Sequence, residues 1–154
     1  EKIELLQSHL MLFFTGFSRN ASDIAGEQIK KTPALKSQLQ EMRGMVDKAV
    51  DILNSRSCDI RDFGRLLHES WRIKRSLTKM ISTSEIDALY ETALDAGALG
   101  GKLLGAGGGG FILMFAEPQA QSKIKERLNK ILYVPFSFEK LGSQVIMYST
   151  QDFY

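Results

Sequence analysis

Eight of the fourteen residues from 97 to 110 are glycine, and four of them stand together at Gly107, Gly108, Gly109 and Gly110. Adjacent glycines are costly to order. A simple turn at a strand edge needs one or two, so the excess implies that backbone comes very close to a phosphate or to another backbone. Successive exposed N–H groups in such a loop can form an anion-binding nest. The residues on the C-terminal side of the glycines narrow the choice. Gly105-x-Gly107-x-x-Gly110 has the spacing of a dinucleotide fingerprint, but that motif needs a helix next, to meet the pyrophosphate. Here Phe111-Ile112-Leu113-Met114-Phe115 comes next, which reads as a strand. Gly101-Lys102 lacks the Ser or Thr that a phosphate loop places after its lysine, because Leu103 stands there. A glycine-rich hairpin packed on another domain is the plain structural alternative.

The flanking sequence is ordered and periodic. Residues 9–15 are apolar and aromatic and end at Gly16, as a buried strand does. Ser18 or Asn20 can cap a helix over residues 21–31, with Ile24, Ala25 and Ile29 inward. Thr32-Pro33 reads as a cap with proline in the first turn. Leu35, Leu39, Met42, Val46, Ala49 and Leu53 then recur at helical spacing. Asp59 can cap a helix over residues 60–77, with Phe63, Leu66, Leu67 and Trp71 inward. Residues 82–85 fit a capping box for a helix carrying Ile86, Leu89, Tyr90, Ala93 and Leu94, which ends at Gly97. Residues 97–110 read as loop and residues 111–116 as strand. Pro118 opens a helix with Ala120, Ile124, Leu128 and Ile131 on one face. Residues 134–138 and 144–149 read as two strands around Gly142-Ser143. The order predicts an α+β, ferredoxin-like fold with a largely antiparallel sheet covered by helices.

Composition sets the class. Of 154 residues, 44% are apolar and 25% charged, which suits one globular domain with a real core. A net charge of +2 gives no ground for a nucleic-acid or membrane partner. Residues 111–116, the longest apolar run, are too few to span a bilayer. Cys58 is the only cysteine, so no intrachain disulfide forms, and a cytoplasmic setting is the simpler expectation. No signal-peptide pattern opens the chain. It starts on Glu1 with a strand close behind, as a segment of something longer would.

The run Gly97-Ala98-Leu99-Gly100-Gly101-Lys102-Leu103-Leu104-Gly105-Ala106-Gly107-Gly108-Gly109-Gly110 resembles the third conserved motif of the GHMP kinases. Ile86-Asp87-x-Leu89 on the preceding helix is similar to that family too. Thr15-Gly16-Phe17-Ser18-Arg19, His68-Glu69-x-Trp71-x-x-Lys74 and Gly142-Ser143 resemble the sugar kinases of the family that act on heptose 7-phosphate. The resemblance covers essentially the whole chain. It implies that residues 1–154 are a GHMP kinase C-terminal domain. The ATP-binding domain would lie N-terminal to it, carrying a Pro-x-x-x-Gly-Leu-Gly-Ser-Ser-type loop that these residues lack. ATP and Mg2+ would be bound mainly by that domain, which would also supply the catalytic aspartate where one is used.

On this reading no catalytic residue lies in the chain, which would be inactive alone. Gly105, Gly107, Gly108, Gly109 and Gly110 would support the ATP loop. Arg19, Lys102, Lys74 and His68 are the substrate-side candidates. Arg19 stands just past a strand end, where sites commonly sit, and guanidinium grips phosphate bidentately. His68 could instead face the surface, and the basic run Arg72, Lys74, Arg75, Lys79 could be a solvated helix face. No spacing of His, Cys, Asp and Glu suggests a metal site. The partners implied are the chain's own N-terminal kinase domain, a sugar or sugar phosphate, and a second copy of the protein. Two alternatives stay open: a non-catalytic ferredoxin-like regulatory or dimerisation module, and a GHMP kinase for fucose, galactose or a mevalonate-like alcohol.

Overall fold

The apolar run after the glycines forms the strand Phe111–Ala116 (β3), and the first apolar run forms Leu10–Phe14 (β1). The two pair antiparallel at the centre of a four-stranded sheet, with Met11 opposite Met114 and Phe13 opposite Ile112. The computed structural model describes residues 2–17, 21–139 and 141–145. Its outer strands are Ala98–Leu103 (β2), beside β3, and the short Leu132–Tyr133 (β4), beside β1. The order β2-β3-β1-β4, antiparallel throughout, is that of a ferredoxin-like sheet.

Six α-helices complete the described residues: Lys2–His9 (α1), Ala21–Lys31 (α2), Lys36–Asn54 (α3), Ile60–Leu77 (α4), Ser84–Asp95 (α5) and Pro118–Arg127 (α6). Asp59 caps α4, its side chain accepting the Arg61 N–H at 2.9 Å. Thr83 caps α5 by accepting from Ile86 N–H at 3.3 Å. Strand alternation gives the sheet a core on each face. Met11, Phe13, Leu103, Ile112 and Met114 join Trp71, Ile86, Tyr90, Ala93, Ile124 and Leu128. On the other face Leu10 and Phe115 join Leu6 and Ile60, with Phe63, Leu67 and Leu113 packed against them. No described helix is long and apolar enough to cross a membrane.

Several expectations need correction. The glycine-rich stretch is not all loop: residues 98–103 form β2, because their backbone completes the ladder to β3 whatever their side chains. The loop proper is residues 104–110. Helix α1 carried no clear periodic signal, and tertiary contacts hold it, Lys2 Nζ donating to the carbonyls of Ser55 at 2.6 Å and Cys58 at 3.1 Å. Thr32 does not cap the following helix; it begins a 3-10 turn, Thr32–Leu35, and donates back to the Gln28 carbonyl at 3.0 Å. The stripe from Leu35 along α3 is partly covered: Leu35, Met42 and Leu53 pack against the cores and Met45 is buried, while Leu39 and Val46 are exposed, Val46 by 60%. Ile29 is exposed as well. Residues 134–138 are not a strand. Pairing to β1 stops after Val134, whose N–H donates to the Leu12 carbonyl at 2.8 Å, and Pro135 has no N–H to continue it. Of the expected strand over 144–149, residues 144 and 145 are not in a strand, and 146–149 lie outside the described residues. The caps Ser18 and Asn20 lie outside them too.

Candidate functional site: the glycine loop and its lysines

The loop between β2 and β3 is tied down by backbone from two other places. Gly108 N–H donates to the Ile81 carbonyl at 2.9 Å, and Gly110 N–H to the Phe17 carbonyl at 2.8 Å. The Gly110 carbonyl accepts from both the N–H and the Oγ1 of Thr15, each at 2.9 Å. Leu104 N–H closes the hairpin on the Phe111 carbonyl at 2.8 Å, and Gln28 Nε2 reaches the Ala106 carbonyl at 3.4 Å. The loop is thus fixed to the segment before α5 and to the turn after β1. Among its described N–H groups, those of Gly108 and Gly110 are the glycine donors used inside the chain.

These close approaches explain the glycine content. A Cβ on Gly107 would lie 2.8 Å from Ile81 Cα, and one on Gly109 2.5 Å from the Phe17 carbonyl oxygen. Gly107 and Gly109 also have positive φ, +130° and +156°. Backbone therefore meets backbone here, within the chain itself. Gly105 and Gly110, at φ +77° and +97°, face open space: a Cβ on either would meet nothing within 4 Å.

Two lysines flank the start of the loop. Lys74, near the end of α4, donates from Nζ to the Gly105 carbonyl at 2.6 Å. Lys102 lies on β2 two residues after Gly100, and so on the same face of the strand, the face that α4 covers. Burial, and after it the charge of Lys102, pull Lys74 below the ordinary lysine pKa. Tertiary structure thus brings together Lys74, Lys102 and Gly105, which sequence reasoning had named separately.

His68 has a different environment. Its Nδ1 is 2.8 Å from the Tyr90 hydroxyl, and the two rings stack with centroids 5.9 Å apart. Tyr90 is buried. The Tyr90 hydroxyl and His68 Nδ1 share one hydrogen bond, whose donor is set by the imidazole tautomer. Burial, then the Glu91 carboxylate, raise the Tyr90 pKa and keep it a phenol. His68 therefore locks α4 to α5. Arg75 pairs with Asp87 at 3.0 Å, and Asp87 also accepts from Ser82 Oγ at 2.6 Å. Arg72 and Lys79 are exposed, as a solvated face would have them. Arg19 lies outside the described residues. The parts that sequence reasoning missed are the Ile81 and Phe17 carbonyls that hold the loop. Backbone acceptors carry no residue signature, although the glycine after Thr15 marks the turn that aims Phe17.

The family profile described as GHMP kinases C terminal matches residues 52–134, more than half of the chain. The chain is 33% identical over 140 residues, 89% of its length, to D-glycero-alpha-D-manno-heptose 7-phosphate kinase of Campylobacter jejuni, of which it covers 41%. It is 30% identical over 123 residues to L-fucokinase/L-fucose-1-P guanylyltransferase of Bacteroides fragilis, covering 78% of this chain and 13% of that one. A crystal structure of L. major mevalonate kinase in complex with R-mevalonate superposes on 80% of this chain and 40% of its own, with TM-score 0.69 and 21% identity, a likeness of fold. The chain thus spans well under half the length of these relatives. With its glycine loop leading into β3, its ferredoxin-like sheet and the profile match across α4, α5 and the loop, this chain belongs to the GHMP kinase C-terminal domain family.

Proposed function

We propose that residues 1–154 work as the C-terminal half of an ATP-dependent sugar kinase. An ATP-binding domain N-terminal to them would complete the enzyme. The reaction is transfer of the γ-phosphoryl group of ATP to a sugar hydroxyl, the anomeric one of a heptose 7-phosphate. The observation that carries the reading is the loop of residues 104–110, fixed by Ile81, Phe17 and Thr15 so that Gly105 and Gly110 face open space. The heptose substrate rests on the 33% identical relative. Phosphoryl transfer asks a protein mainly for positioning and for stabilisation of spreading negative charge. This chain's share is a rigid loop that buttresses the ATP-binding loop. Lys74 sets the Gly105 carbonyl, and Lys102 stands beside it on the substrate side. Among the described residues no group of three or more His, Cys, Asp or Glu is placed to hold a metal ion. Mg2+ would reach the site with the nucleotide, on ligands of the other domain.

The test is a phosphotransfer screen of the enzyme that joins this chain to its ATP-binding domain. The acceptors are heptose 7-phosphate, fucose, galactose and mevalonate. Turnover highest on the heptose phosphate is expected. Highest turnover on fucose or mevalonate would move the substrate to those kinases, and no turnover on any acceptor would favour the non-catalytic module. Residues 1–154 alone are expected to bind ATP more weakly than about 10 μM, roughly −7 kcal/mol, and calorimetry measures this.

A further inference from the structure

Lys74 on α4 donates to the Gly105 carbonyl at 2.6 Å, and Lys102 on β2, three residues before Gly105 on the face that α4 covers, is near enough for its charge to act on Lys74. Among the described residues neither lysine has a carboxylate partner. Asp87, one of the nearby acids on α5, is committed to Arg75 and Ser82. Lys74 is half-buried, and its hydrogen bond to the Gly105 carbonyl uses one of three N–H donors. Two ammonium groups held together without a counter-charge are costly unless an anion completes the arrangement. Room for one exists, because Gly105 faces open space on its Cβ side.

We propose that Lys74 and Lys102 form a subsite for a phosphate monoester, the phosphate that the sugar substrate already carries and keeps through the reaction. This rests on the kinase reading above. The chemistry favours a phosphate over a carboxylate: a dianion with three terminal oxygens matches two cations and their five remaining donors, whereas a carboxylate brings one charge and two oxygens. It favours the retained phosphate over the transferred one, because the Lys74 tether to Gly105 makes a fixed clamp. Burial and the neighbouring charge lower the Lys74 pKa, and a bound dianion would raise it again. Lys74 would then couple occupancy to the loop, since the same ammonium group holds the anion and the Gly105 carbonyl.

The first arm titrates residues 1–154 by NMR with inorganic phosphate, glucose 6-phosphate and glucose. Saturable binding of the two phosphates, centred on residues 74 and 102–105, is expected, with none for glucose. Lys102→Gln should weaken it about tenfold, the loss of one charge-assisted contact. That side chain has no hydrogen bond inside the chain among those described, so the fold should stand. Lys79→Gln, an exposed lysine just past α4, controls for net charge and should change nothing. Absence of saturable binding, or an equal loss in Lys79→Gln, overturns the subsite. The second arm uses the whole enzyme. Lys102→Gln should raise KM about tenfold for a sugar phosphate and leave KM for ATP and for unphosphorylated sugars unchanged. A rise confined to ATP would overturn the assignment to the substrate's own phosphate. Lysine-dependent phosphate binding without any phosphotransfer would support the subsite and sink the kinase reading.

Discussion

Gly100 of β2 lies directly against Gly64 of α4. A Cβ on Gly100 would fall on the Gly64 carbonyl oxygen and 2.9 Å from the His68 backbone nitrogen, and a Cβ on Gly64 would fall 2.5 Å from Phe115 Cδ1. The helix therefore docks on the sheet through two side-chain-free positions, and this sets the distance of α4 from the loop it tethers through Lys74. Gly100→Ala must push the helix off the strand. Overpacking of this kind costs about 1–3 kcal/mol or more. The variant should show the larger loss of stability in urea denaturation. Gly64→Ala should cost less, because its Cβ meets a side chain rather than backbone, although Phe115 is fully buried against His9 and Phe63 and has to repack. Equal stabilities would mean that the helix slides freely.

The loop glycines separate into two classes. Gly107→Ala and Gly109→Ala should lower stability by several kcal/mol, since each forces a Cβ into backbone at positive φ, where alanine is already penalised by about 1–2 kcal/mol. Gly105→Ala meets open space and keeps only the left-handed backbone penalty at φ +77°, about 1–2 kcal/mol. In the whole enzyme it should lower kcat by tenfold or more, since misplacement by about 1 Å at a transfer site can cost a hundredfold. Paired melts and steady-state kinetics check both. Unchanged kcat in Gly105→Ala would make the loop only a turn.

His68 and Tyr90 test a structural role against a substrate-side one. His68→Ala leaves the buried Tyr90 hydroxyl without its side-chain partner and should cost about 1–3 kcal/mol. Tyr90→Phe removes the hydroxyl itself and should cost about 0.5–1.5 kcal/mol. The double variant should be less destabilised than the sum of the two, because the partners are coupled. In the whole enzyme, a KM effect of His68→Ala with unchanged stability would return His68 to the substrate side.

Asp59 gives the chain an acid limb. Hydrogen bonds from the Arg61 side chain, and after it the Arg61 N–H, hold its pKa at about 2, below the ordinary 3.8. The folded state therefore binds fewer protons than the unfolded state in that window. The contribution is complete above pH 3.8 and is lost as pH falls toward 2. Asp59→Asn keeps a capping side chain and should flatten the melting temperature against pH between about pH 4 and 2. Unchanged curvature would show that Asp59 is not the group that titrates.

The sequence by itself determined what local chemistry controls. Apolar period and length set β1, β3, α4, α5 and α6, and Asp59 and Gly97 marked ends that the structure keeps. The glycine run, with a strand directly after it, was enough to exclude two phosphate motifs and to indicate the family. Tertiary structure decided the rest. Residues 98–103 are a strand because β3 offers an unpaired edge, and α3 buries Met45 rather than its full stripe because α4 covers only one side of it. It also decided the site. Lys74 and Lys102 are twenty-eight residues apart in sequence and come near each other only where α4 crosses β2, and Ile81 and Phe17 hold the loop through carbonyls that any residue would carry. A sequence specifies side chains, but backbone acceptors and the approach of like charges exist only once the chain has closed on itself.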